Sequence, residues 1–228
     1  MRLDPAKLAA EFVIIVVGIL VALAADSAWQ NRSDRQQEAE ELRRLTREFQ
    51  EERDFFTSEL VFFQQQVEAV EEMLALLQAA PIDAMVSVPN ALAIETLYSP
   101  TWDAQFPILN SLISSGRLRL ITDAGIRDRI GRLQGSIRNT TENQARARNF
   151  YVNELLPILR SSGDITMLLT IRRDYAHRES LGETALLNTL ELQNAVAEKI
   201  LWADLALDTS TGLIRRLENT LREIEQAE

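Results

Sequence analysis

Arg117 and Arg119 stand two residues apart just before Thr122, which reads as the N-cap of a helix that follows. Two guanidinium groups beside a helix start with free backbone N–H groups are the ingredients of a site for an anion or an acidic partner. The same residues also make a well-capped connector, and that reading is preferred. In it Gly116 takes the left-handed conformation that closes a helix at Ser115. Residues 117–121 then alternate, sending Leu118 and Leu120 inward, and both arginines pair with acidic neighbours. A second group, Glu11, Gly18, Ala22 and Ala25, has spacings of seven, four and three and therefore shares one helix face. Gly18 and Ala22 form a small-xxx-small pair that lets another helix approach closely, so the group is a candidate docking face inside a membrane. Glu11 either snorkels to water or bonds a partner there.

Little other chemistry is on offer. The chain has no Cys, which removes disulfides, thiolate catalysis and Cys-ligated metal. Its one His, His177, lies in a charged stretch with Arg172, Arg173, Asp174 and Arg178, and a surface position is expected for it. No phosphate-binding glycine loop or nucleophile-elbow motif occurs. Neighbouring acids such as Glu51–Glu52 and Glu71–Glu72 do not face each other on a helix and read as solvated surface. No enzyme, cofactor or metal site is expected. A net charge of −10 argues against a nucleic-acid partner. The basic residues are 22 Arg and two Lys, Lys7 and Lys199, a bias with no evident mechanism in the sequence.

The elements that hold these residues begin with an apolar run, residues 8–25, interrupted by one charge, Glu11. At 1.5 Å per residue it covers about 27 Å, enough for one transmembrane helix after a short cytoplasmic tail, residues 1–7. Trp29 falls where an interfacial anchor belongs. A cleaved signal peptide is the competitor, with Ala22-Leu23-Ala24 as its cleavage site. Counting Arg32, Arg35, Arg43 and Arg44 favours a cytoplasmic C-terminal domain, although a large translocated domain is little affected by such counts.

Residues 26–228 read as one elongated helical domain. Leu42, Leu45, Phe49, Phe56, Leu60, Phe63, Val67, Val70, Leu74 and Leu77 form one stripe on a helix over 38–80, with Pro81 as its stop. A second stripe runs over 123–160. The third, over 183–226, carries Val196, Ile200, Ala203, Leu207, Ser210, Ile214, Leu217, Leu221 and Ile224 in unbroken alternation of four and three, a coiled-coil-grade seam. Shorter helices at 90–98 and 102–115 complete a four-helix layer, and 165–171 fits a short strand or a buried turn. Apolar-faced rods bury their stripes best against one another, so the fold class is all-α: an antiparallel bundle with three long rods behind one transmembrane helix. Residues 26–80 and 183–228 are acidic (−7 and −5), while 116–182 is basic (+5), which suits attraction within the bundle.

Two segments carry a resemblance. One is Glu11-Phe-Val-Ile-Ile-Val-Val-Gly18-Ile-Leu-Val-Ala22-Leu with its Trp29 and Asn31 exit. The other is Leu109-Asn-Ser-Leu-Ile-Ser114-Ser-Gly116-Arg-Leu-Arg-Leu-Ile121-Thr-Asp, running into Ile126-Arg127-Asp128. Together they resemble a domain-of-unknown-function family of bacterial single-span membrane proteins. The resemblance implies an inner-membrane anchor with the N-terminus inside and the helical domain in the periplasm. Relatives usually carry a longer basic stretch before the span than Arg2 and Lys7 provide here. The family offers no catalytic residues to carry over. The expected function is a membrane-anchored interaction protein whose partners are the lipid bilayer and either itself or another membrane subunit. Two rival readings are a periplasmic helical-bundle ligand sensor working through a partner, and a cleaved, secreted helical protein.

Overall fold

The computed structural model describes residues 5–97, 99–102, 105–165 and 182–227, with side chains from Ile15 onward. The first helix, α1 (Pro5–Gln78), is one continuous element of 74 residues, about 110 Å long. Two separate helices are expected over 8–25 and 38–80. They merge because residues 19–80 contain no Gly or Pro, and the polar stretch 26–37 has nothing to break the hydrogen-bond ladder. Pro81 ends the element. Asn188 caps it from a distance, its Nδ2 donating to the carbonyls of Leu77, Ala80 and Pro81 at 2.9–3.0 Å.

A small antiparallel sheet follows, β1 (Met85–Pro89) against β2 (Glu183–Leu187), with Met85 opposite Leu187 and Pro89 opposite Glu183. The apolar seam predicts helix from 183 onward. The alternation that makes a strand is there in both strands: Val86, Val88, Thr184 and Leu186 are buried and their neighbours are not. The last helix therefore starts later than its apolar seam suggests. It begins at Leu190, where Thr189 Oγ1 accepts from the Leu192 N–H as an N-cap at 3.0 Å.

The chain next descends along α1 through α2 (Asn90–Leu97) and α3 (Pro107–Ser114). Thr96 donates to the Ala69 carbonyl, Ile108 and Leu109 donate to Glu48, and Thr122 donates to Glu38, each contact further down the rod than the last. The helix expected over 102–115 starts five residues late, at Pro107, since proline suits a first turn and lacks the N–H an interior position needs. Arg117–Leu120 is a 3₁₀ turn, and only Ile121 of the 117–121 stretch is extended. Gly116 does take the left-handed conformation, at φ 69°.

From there α4 (Ala124–Phe150) climbs again, and a π turn (Tyr151–Leu155) leads into α5 (Leu156–Ser162). The π turn has a cause in the sequence. Pro157 cannot donate to Asn153, and the Leu156 N–H reaches five residues back to the Tyr151 carbonyl. The final helix, α6 (Leu190–Ala227), descends to finish beside Arg35 and Leu42. The result is an all-α, up-down-up-down bundle whose second leg is broken into short pieces.

Two cores fill it. The lower holds Phe49, Phe56, Phe63, Trp102 and Phe106, with Trp102 stacked on Phe56 at 4.5 Å. The upper holds Val70, Met73, Leu77, Leu155, Leu159, Leu186, Leu192 and Val196. On α6, Val196, Ile214, Leu217, Leu221 and Ile224 are buried, with Ile200 and Leu207 partly so. His177 and most of the 165–171 stretch lie outside the described residues.

Candidate functional site

The residues singled out by the sequence fall in two places on α1 and the parts packed against it. Below the bundle, α1 continues with no neighbouring element against its apolar flank among the described residues. Ile15, Leu20, Val21 and Leu23 are each more than half exposed, and Trp29 is 75% exposed. Gly18, Ala22 and Ala25 share this exposed stretch, and a Cβ added at Gly18 would meet nothing. The side chain of Glu11 lies outside the described residues. Among the described residues no helix is long and apolar enough to cross a membrane. The run 8–25 extends seven residues beyond the described side chains.

At the base of the bundle, three acids of α1 grip the 107–122 segment. Glu38 accepts from the Thr122 N–H at 2.6 Å and from its hydroxyl at 2.9 Å. Glu41 pairs with Arg117 at 2.6 Å and with Arg44 at 3.4 Å. Glu48 accepts from the N–H groups of Ile108 and Leu109 at 2.6 and 3.0 Å, capping α3 from another helix. Burial pushes the Glu48 carboxyl above its ordinary value, against the two backbone donors that pull it down. Glu52, one turn on, is pushed up to about 7, by burial first and then by Glu48 and Glu51.

This clamp alters the expectation for Arg117, Arg119 and Thr122. The amide and hydroxyl of Thr122, and one of the two arginines, already serve carboxylates of the chain itself, where an external anion would have to compete. Arg119 is exposed and makes no ion pair among the described residues. Thr122 is not the N-cap of α4; that role falls to Asp123, whose carboxylate accepts from the Ile126 N–H at 2.9 Å. Glu41 and Glu48 are buried. Their spacing could have revealed it. Glu41 lies four before Leu45 and Glu48 three after it, on the rim of the apolar stripe.

A third place was missed altogether. Lys199 on α6 is fully buried. Its Nζ donates to Ser99 Oγ in the link between α2 and α3, and it lies 5.6 Å from the Tyr151 ring at the start of the π turn. Burial holds its pKa down at about 7. The signal was in the spacing: Lys199 sits three after Val196 and four before Ala203, inside the seam. Among the described residues no group of His, Asp and Glu is arranged to hold a metal ion.

Comparison with known proteins finds no matching family model, no matching curated protein and no matching solved structure. The functional reading therefore stands on the residues and their geometry.

Proposed function

We propose that this chain is an interaction protein held in the bacterial inner membrane by one N-terminal helix over residues 8–25. Its N-terminus would lie inside and its helical bundle in the periplasm. One observation carries the reading: the 15–25 stretch of α1 is apolar and uncovered, while the apolar stripe of the same helix is buried from Leu42 upward. A contiguous exposed apolar surface of this kind marks a membrane or protein contact. The resemblance to single-span anchors, borne by the Glu11–Leu23 run and the Ser114–Ile121 turn, supports the same assignment. Within the membrane the Gly18, Ala22 and Ala25 face would dock a second helix, from another copy or from a larger complex to which this chain is an accessory subunit.

The test is gentle detergent extraction of the full chain with a C-terminal tag, followed by native mass and identification of co-purifying proteins. A chain that stays with membranes after an alkaline carbonate wash, and then runs as multiples of 25.8 kDa or with a stoichiometric foreign subunit, supports the proposal. Release into the wash, or a mature chain that starts after Ala24, would favour a secreted bundle instead. The sensor alternative rests on Arg119 alone at the base of the bundle, since Arg117 and Thr122 are engaged.

A further inference from the structure

We propose that the lower part of the groove between α4 and α6 binds a phosphate group, as inorganic phosphate or a small phosphomonoester, through Arg129, Arg132 and Arg216. The proposal is independent of the anchor. It stands on a cavity of about 80 Å³ in which Arg129, Arg132 and Leu133 of α4 meet Arg216, Asn219 and Thr220 of α6. Both helices present the same pattern, positions i, i+3 and i+4, so each trio shares one helix face. The ion pair of Arg129 with Glu223 ties the two helices together at this level. Leu133 and Thr220 are buried and make the floor, Arg129 is half-buried, and Arg132 and Arg216 stand exposed at the rim.

The charges around this cavity do not balance. The chain as a whole carries −10, yet three guanidinium groups line the cavity and no carboxylate does. Glu223 answers Arg129, whereas Arg132 and Arg216 make no ion pair among the described residues. The nearest acids in sequence are Asp128, one place before Arg129, and Glu218, two places after Arg216. Neighbours at those spacings do not face each other on a helix, and neither acid lines the cavity. Asn219 adds a donor: its Oδ1 accepts from Arg222, which leaves its amide nitrogen to donate elsewhere. Thr220 spends its hydroxyl proton on the Arg216 carbonyl and serves as wall.

Cationic groups gathered without a counter-charge repel one another, and an anion seated between them turns that repulsion into attraction. The planar guanidinium fork matches paired phosphate oxygens, and three forks with one amide can serve all the oxygens of a tetrahedral anion. The volume is that of about three water molecules, so it takes one such head group and leaves any organic tail outside at the rim.

The test is isothermal titration of the detergent-solubilised full chain with inorganic phosphate, in a chloride buffer of matched ionic strength. The expected result is one phosphate per chain, with Arg132→Gln and Arg216→Gln each weakening binding about 10-fold or more, the loss of one charge-assisted contact. Arg138→Gln, further up α4 where Arg138 pairs with Glu142, should leave binding unchanged. Glycerol phosphate added as a competitor separates the two sources. Displacement of phosphate makes the occupant a phosphomonoester, and no displacement makes it the free ion, with the site supported in both cases. A folded parent that binds no phosphate at millimolar concentration would overturn the proposal. So would binding that survives the double change Arg132→Gln and Arg216→Gln, or that falls equally in Arg138→Gln. The substituted arginines at positions 132 and 216 are exposed, so these variants keep the core intact.

Discussion

Lys199 and Glu52 are titratable groups moved toward neutrality by burial, and they act on stability in opposite senses. The folded pKa of Lys199, about 7, lies below its ordinary 10.5, so between those values the unfolded chain holds the extra proton. Stability then rises with pH across that window, at up to about 1.4 kcal/mol per pH unit, and is flat below pH 7. Lys199→Met removes this slope. Urea melts at pH 7, 8 and 9 should show the advantage of the variant over the parent shrinking steadily as pH rises. Glu52 has its folded value raised from 4.5 to about 7, so its ionisation weakens the fold as pH climbs through that range. Glu52→Gln should therefore stabilise at pH 8 and confer nothing at pH 4, a crossing that thermal melts at the two pH values would reveal. Glu48 is different in kind, because it satisfies two backbone donors. Glu48→Ala leaves the N–H groups of Ile108 and Leu109 without an acceptor and should cost about 2–3 kcal/mol in chemical denaturation, more than Glu51→Ala on the outer face.

The elements show where sequence patterning speaks and where it falls silent. Apolar spacing places the buried stripes of α1, α4 and α6, because period and burial are set by the same geometry. It does not see across the chain. The strands at 85–89 and 183–187 each have only five residues, and their alternation gains meaning only when one finds the other. The clamp acids were legible as rim positions, but not as caps, since capping α3 from α1 depends on a contact 60 residues apart. Lys199 was legible by seam position, yet its partner Ser99 was not. Gly163 adds a further case. It is fully extended and pairs with Leu186, and a Cβ there would lie 2.4 Å from the Ala185 carbonyl oxygen. Gly163→Ala should therefore push α5 away from β2 and destabilise the upper core. Gly116→Ala, whose Cβ meets nothing, should show only the left-handed backbone penalty of about 1–2 kcal/mol. Hydrogen exchange would separate the two, with the Gly163 variant loosening the β2 amides and the Gly116 variant leaving them protected.

At the scale of the whole molecule, the unbroken α1 sets an angle as well as a distance. Successive residues turn by about 100°, so the Gly18 face and the Leu42 stripe keep a fixed bearing to each other along one rigid shaft. Any twist imposed on the lower end arrives at the base of the bundle with no joint to absorb it. One residue inserted between Asp26 and Gln37 would rotate the lower face by about 100° while lengthening the rod by only about 1.5 Å. Seven residues would lengthen it by about 10 Å and return the face to within about 20° of its starting direction. If function depends on direction, the single insertion should abolish partner capture and the seven-residue insertion should restore it. If reach alone matters, the order reverses. The unbroken helix thus makes the chain a torsional coupling, in which a face at one end is aimed by the core at the other.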